Sequence, residues 1–202
     1  MRLNEFDTRI YGRELSKEDI IEACLSIKEN CSNFVYDMKK ASKFLYRGVD
    51  GINPPVFTKT SPWNRKPIGQ SQSQQETLDN ILKLGGFKSL RSNSICCTSN
   101  EYQIEQFGIP YMIFPKNGYS FTWSSKIEDI GSNNKFAALL FAINTPDYKK
   151  AMSVINTFEF KNTDMSSALE SENEITIHGE YMAISAYYRD IISNYFKIVE
   201  GK

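Results

Sequence analysis

The sequence predicts an α+β fold. Helical patterns come first, and many short strands with helices set between them follow. That order favours α+β over a doubly wound sheet, and no internal repeat is visible. Composition points the same way: 41% of the 202 residues are apolar, with 13 Phe and 11 Tyr, so disorder is excluded for most of the chain. A single domain of this length buries roughly 70% of its unfolded surface.

The elements follow in order. Ser16 followed by Asp19 is a weaker variant of the capping box. Ile20, Ile21, Cys24, Leu25 and Ile27 continue it as an apolar stripe at helical spacing. Phe34, Val35, Met38 and Ala41 make a second helix. Phe44 to Val49 (FLYRGV) reads as a strand closed by Gly48 and Asp50–Gly51. Residues 51–75 hold Pro54, Pro55, Pro62, Pro67 and the tract QSQSQQ, which predicts one long loop, functional or mobile. Glu76 to Leu84 is a short helix ended by Gly85–Gly86. Ser94 to Thr98 is a short strand and Glu101 to Phe107 a short helix. Ile109 to Phe114 is a strong strand stopped by the turn PKNG. Tyr119, Phe121 and Trp123 alternate with Ser and Thr, giving a strand with one aromatic face. Asn134 to Ile143 fits a buried helix or a strand, and Thr145–Pro146 starts a helix carrying Tyr148, Ala151, Met152 and Ile155. Glu174 to His178 and Tyr181 to Ser185 read as two strands joined near Gly179–Glu180.

Charge and cysteine usage narrow the partners. Basic and acidic residues balance at 24 each, so no global field attracts nucleic acid or anionic lipid. The polar start MRLNEFDTRIYGREL has no apolar h-region, which predicts no signal peptide. The longest apolar run, Phe136 to Ile143, is far short of the ~20 residues that span a bilayer. A soluble, cytoplasmic chain with no membrane partner is expected. His178 is the sole histidine, so Cys24, Cys31, Cys96 and Cys97 have no zinc-type spacing and no metal is expected. Adjacent Cys96 and Cys97 point to opposite faces of a strand and read as small hydrophobes in a reducing cytosol. There is neither a GxGxxG nor a P-loop.

Three motifs remain. Arg47 sits in FLYRG, Cys97–Thr98–Ser99 ends ICCTS, and Glu172–Asn173–Glu174 opens ENEITI. An arginine near a strand end, a small hydroxyl cluster on a second strand and Glu-x-Glu entering a third resemble the mono-ADP-ribosyltransferase family. The resemblance is to its arginine–serine–glutamate class, cholera-toxin-like and of bacterial or phage type. IPYMIFPKNG is similar to that family's central strand and turn. The resemblance spans roughly residues 44–186. It implies a single ADP-ribosyltransferase-like domain over 1–202, with a helical N-terminal part at 1–43 and a catalytic core at 44–186. That core is a split β-sandwich with a helical insertion around 134–158.

The resemblance also implies chemistry. NAD+ is the expected donor, with no metal, and a protein is the expected acceptor, through an arginine side chain. Arg47 pairs with phosphate or braces the nicotinamide ribose. Glu174 is the carboxylate that stabilises the oxocarbenium ion. Glu172, two positions away and so on the same strand face or loop mouth, faces the acceptor as base or orienting group. Cys97, Thr98 and Ser99 bind the nucleotide, Cys97 standing where the family's first serine orients the catalytic glutamate. A thiol is a weak partner for that task, and Thr98, Ser99 or, in another register, Ser94 are the substitutes. Ser99 or Asn100 also reads as an ordinary cap for the helix at 101–107. The aromatic face reads as core, with nicotinamide stacking as the alternative. His178 reads as structural. Trp63–Asn64–Arg65–Lys66 reads as a contact for the acceptor or the adenine phosphate, or as a solvated loop. Three functions stay open: transfer to arginine in the cytoplasm (a host cytosol for a viral chain), NAD+ glycohydrolysis, and non-catalytic binding.

Overall fold

The structure is a computed structural model. It describes residues 15–51, 53–67, 70–131, 133–143 and 146–198, the side chain of Glu105 excepted. The polar start through residue 14 therefore lies outside the described residues.

Among the described residues, eight strands form two antiparallel sheets. They are β1 (Tyr46–Val49), β2 (Val56–Thr60), β3 (Ile95–Cys97), β4 (Ile109–Pro115), β5 (Ser120–Ser124), β6 (Phe160–Lys161), β7 (Ile175–His178) and β8 (Glu180–Ser185). The first sheet runs β1-β4-β8-β2 and the second β3-β7-β5-β6. Among the described residues, eight α-helices accompany them: α1 (Lys17–Asn30), α2 (Ser32–Ala41), α3 (Gln72–Leu84), α4 (Glu101–Ile104), α5 (Asn134–Ala142), α6 (Tyr148–Thr157), α7 (Met165–Ser171) and α8 (Arg189–Phe196). The fold is α+β, with no parallel βαβ pairing in either sheet.

Two joints between the sheets bear on the site. Gly179, with φ 126°, passes the chain from β7 in the second sheet to β8 in the first. Only glycine enters that region without strain. The strands expected to be joined there are thus neighbours in sequence but belong to different sheets. The second joint is a bridge between Tyr46 and Thr98: Tyr46 N donates to Thr98 O at 2.7 Å, and Thr98 N donates to Tyr46 O at 3.0 Å. Just beyond it, a Cβ on Gly48 would lie 2.6 Å from the Phe107 carbonyl carbon. The turn at Phe107–Gly108 therefore presses directly on the backbone that carries Arg47.

The core has two parts. A larger cluster packs α1, α2, α7 and α8 onto both sheets through residues such as Phe34, Phe44, Phe114, Ile175 and Ile184. A smaller one joins α3, α5 and α6 through Leu78, Ile81, Phe136, Val154 and Ile155, with Ile127 and Ile130 beside them. The capping box at Ser16 forms as expected, with Asp19 N donating to Ser16 Oγ at 3.1 Å. The stripe of α1 is narrower than expected, because Ile21 and Leu25 face outward.

Several elements depart from expectation. The long loop at 51–75 is interrupted by β2 and ends at Ser71, where α3 begins; its residues 52, 68 and 69 lie outside the description. Ser71 and Gln74 form a capping box, so the Gln/Ser tract is a helix start and not a linker. Beside Pro54 and Pro55, β2 lies at the sheet edge, where proline is tolerated. Residues 134–142 are helical, started by Asn133, whose side chain accepts from Phe136 N at 3.0 Å. Thr145 lies outside the described residues, and α6 is capped by Asp147. The expected helix at 101–107 is one α turn followed by a 3-10 turn. Strand β6 and helices α7 and α8 were not anticipated. No helix among the described residues is long and apolar enough to cross a membrane.

Candidate active site

The joint between the sheets collects all three motifs. Arg47 lies in β1, opposite Tyr111 of β4. The Tyr46–Thr98 bridge sets β1 against the end of β3, where Arg47 Nη1 donates to the Cys96 carbonyl at 3.4 Å. Strand β3 pairs with β7 in the register Cys97↔Ile175 and Cys96↔Thr176, which brings Glu172–Glu174 alongside Thr98. Thr98 Oγ1 donates to the Glu172 carbonyl at 2.6 Å, and Asn100 Nδ2 donates to Glu172 Oε2 at 3.2 Å.

Strand parity decides what each side chain does. Ile95, Cys97, Ile175 and Ile177 share one face and are buried in the larger core. Cys96, Glu174 and Thr176 take the other face. Cys97 therefore does not stand beside Glu174, as expected of the residue in the serine position. It is 2% exposed among apolar neighbours, and burial pushes its thiol upward. The β3 residue on the face of Glu174 is Cys96, whose sulfur Arg65 Nη1 contacts. Thr98 and Ser99 turn to the end of α7. Both are buried, and their hydroxyls donate to the carbonyls of Glu172 and Leu169 at the end of α7. Thr98 Oγ1 also accepts from Asn100 N at 3.1 Å, as a cap would. These hydroxyls fasten the end of α7 to the residues that follow β3.

Glu174 is held on both oxygens. Arg91 Nη1 donates to Oε1, and Ile130 N donates to Oε2 at 3.0 Å. The side chains of Arg91 and Glu174 are 4% and 11% exposed. Burial alone pushes the carboxyl upward. The Arg91 charge and the hydrogen bonds from Arg91 and Ile130 outweigh it and hold the carboxyl below its ordinary range. Burial likewise works against the charge on Arg91, and Glu174 more than restores it. The backbone of this segment is anchored in turn: Arg91 N and Ser92 N donate to the two carboxylate oxygens of Asp79 on α3, at 2.8 and 3.2 Å.

Glu172 departs from the expected geometry. It is the left-handed C-cap of α7, with φ 60°, and not a strand residue. The two-residue spacing therefore does not put the two carboxylates on one face. Glu172 turns to Lys43 and Asn100, whereas Glu174 turns to Arg91 and Ile130. Glu172 is also the more open of the two, at 45% side-chain exposure.

Arg47 and Arg65 form no ion pair with any carboxylate among the described residues. Arg65 is not on a free loop. Its N–H donates to Ser92 O at 2.7 Å, and its carbonyl accepts from Gln75 Nε2 at 2.8 Å. Trp63 beside it is exposed, with its ring edge-on to His178. His178 is structural, its Nδ1 lying 3.1 Å from Ser61 Oγ and 2.9 Å from Asn93 O. The aromatic face of β5 is core: Trp123 is buried and donates from Nε1 to Thr163 O at 3.1 Å, and Tyr119 and Phe121 pack on the same cluster. The four cysteines are free thiols. No group of three or more His, Cys, Asp or Glu suited to hold a metal occurs among the described residues.

Arg91 and Arg65 are the site residues that sequence reasoning missed or left open. Both gain their meaning from contacts with residues remote in the chain, and neither sits in a recognisable motif. Compared with protein-family models, with curated proteins and with solved structures, the chain matches none.

Proposed function

We propose that this chain transfers ADP-ribose from NAD+ to an arginine side chain of a protein, releasing nicotinamide. One observation carries the reading. Arg47, the segment Cys96–Ser99 and the segment Glu172–Glu174, far apart in sequence, converge at the joint of two antiparallel sheets. On this reading the sheets are the split sandwich of the ADP-ribosyltransferase fold, residues 44–186 are its catalytic core, and α5 and α6 are the insertion.

The chemistry suits these side chains. Arg47 and Arg65, which pair with no carboxylate among the described residues, offer guanidinium donors to the diphosphate of NAD+. As the bond from ribose C1′ to nicotinamide breaks, the bonding pair leaves with nicotinamide and positive charge builds on the ribose. Glu174, ionised although buried, stabilises that charge. Glu172, half-open at the end of α7, accepts the proton that the acceptor loses as it bonds to C1′. The Lys43–Glu172 ion pair favours a second reading. A lysine already beside that carboxylate competes with an incoming guanidinium, and water as acceptor makes the chain an NAD+ glycohydrolase.

Incubation with labelled NAD+ and a cell lysate, followed by mass spectrometry of the modified residue, separates these outcomes. Label on arginine supports transfer, and free ADP-ribose alone supports hydrolysis. Intact NAD+ after prolonged incubation overturns both.

A further inference from the structure

We infer that Arg91 is the positioning residue for the Glu174 carboxylate, keeping it in one orientation and in its charged form. This rests on the function proposed above, in which Glu174 meets the developing charge on the ribose. The resemblance assigns the orienting task to a serine hydroxyl. Here Cys97 stands at the serine position and faces the core, and the β3 residue on the face of Glu174 is Cys96, whose thiol is a weak hydrogen-bonding group. A guanidinium is a far stronger partner for a carboxylate.

The geometry suits the task. Arg91 Nη1 takes Oε1 while Ile130 N takes Oε2 at 3.0 Å, so rotation of the carboxylate breaks a bond on either side. Arg91 is only 4% exposed, and leaving the pair would strand its charge away from water. Its backbone is fixed by Asp79 of α3, and Asp79 is itself buried. Ser92, the next residue, accepts from Arg65 N at 2.7 Å. One short segment thus sets both the carboxylate and the backbone of Arg65. A buried carboxylate without a cation takes up a proton more readily and loses the charge that the reaction uses.

The test is steady-state nicotinamide release by the full chain across a range of pH, comparing wild type with Arg91→Gln and Arg91→Lys. For Arg91→Gln, kcat is expected to fall on the order of 100-fold with KM changed less than about threefold. The acid limb of its kcat profile moves to higher pH, because the carboxyl loses its cation. Arg91→Lys restores the position of the limb and part of the rate. A folded Arg91→Gln with wild-type kcat and an unmoved acid limb overturns the inference. Should Arg91→Gln not fold, Arg91→Lys decides: it keeps the charge but not the rigid planar group that holds Nη1 at Oε1, so a wild-type kcat in this variant overturns the inference too. An active wild type with indifferent Arg91 variants removes only this inference. A wild type that releases no nicotinamide removes the proposed function, and the role of Arg91 with it.

Discussion

The ion pair between Arg91 and Glu174 lies where the two hydrophobic clusters of the fold meet. Glu174 accepts from the backbone of Ile130, which belongs to the smaller cluster, and the next residue, Ile175, is buried in the larger one. The pair therefore has a structural consequence separate from catalysis. Removing one partner leaves a buried charge and should cost about 3–5 kcal/mol, whereas replacing both with apolar residues should recover most of that loss. Denaturant unfolding of Arg91→Met, Glu174→Leu and the double variant measures the coupling. Additive effects in the cycle would show that the two side chains do not act as a pair.

The same pair gives stability a pH dependence. The folded carboxyl of Glu174 sits below its ordinary value of 4.5. A group with a lowered folded value binds fewer protons in the folded state. Its contribution is present in full above 4.5 and is lost as pH falls through the lowered folded value. Glu174→Gln should flatten this acid limb of the unfolding free energy. A limb of unchanged depth in the variant assigns the acid sensitivity to other carboxylates.

Glu172 should separate transfer from cleavage. Its pairing with Lys43 is largely solvent-screened and contributes under about 1 kcal/mol of stability, so Glu172→Gln should fold normally. That variant should lose labelling of arginine or agmatine while nicotinamide release continues. Normal labelling by Glu172→Gln would remove Glu172 from the transfer step.

Arg47 should matter to NAD+ more than to the fold. Among the described residues its one side-chain hydrogen bond, to the Cys96 carbonyl, is long at 3.4 Å, and no carboxylate partners it. Arg47→Ala should weaken NAD+ binding by about 2 kcal/mol, roughly 30-fold, with little change in melting temperature. Calorimetry with NAD+ reads this directly, and an unchanged affinity in a folded variant makes Arg47 a structural residue only.

Much of the fold was legible in the sequence because its signals are local. The runs around Arg47, Ile109 and Ile175 end at glycine or turn residues, and each became a strand close to its expected bounds. The capping box at Ser71–Gln74 was hidden inside a glutamine-rich tract that resembles a linker, so the start of α3 was missed. The site was legible in its convergence and not in its details. Pairing of β3 with β7 sets Cys96, and not Cys97, toward Glu174, and a one-residue slip in such a ladder exchanges every side chain between faces. The left-handed backbone of Glu172 overrides the strand parity on which the shared face of the two glutamates was argued. Arg91 reaches Glu174 across 83 residues of sequence, a distance at which no local pattern reports the contact.

On the proposed function, this chain cleaves NAD+ with Glu174 as the carboxylate that meets the ribose. The most direct test is the rate of nicotinamide release from NAD+ by wild type and by Glu174→Gln, each first shown to unfold cooperatively. Release by wild type, reduced on the order of 100-fold or more in the variant, is the expected result. Equal rates in the two proteins, or no release from wild type, would contradict it.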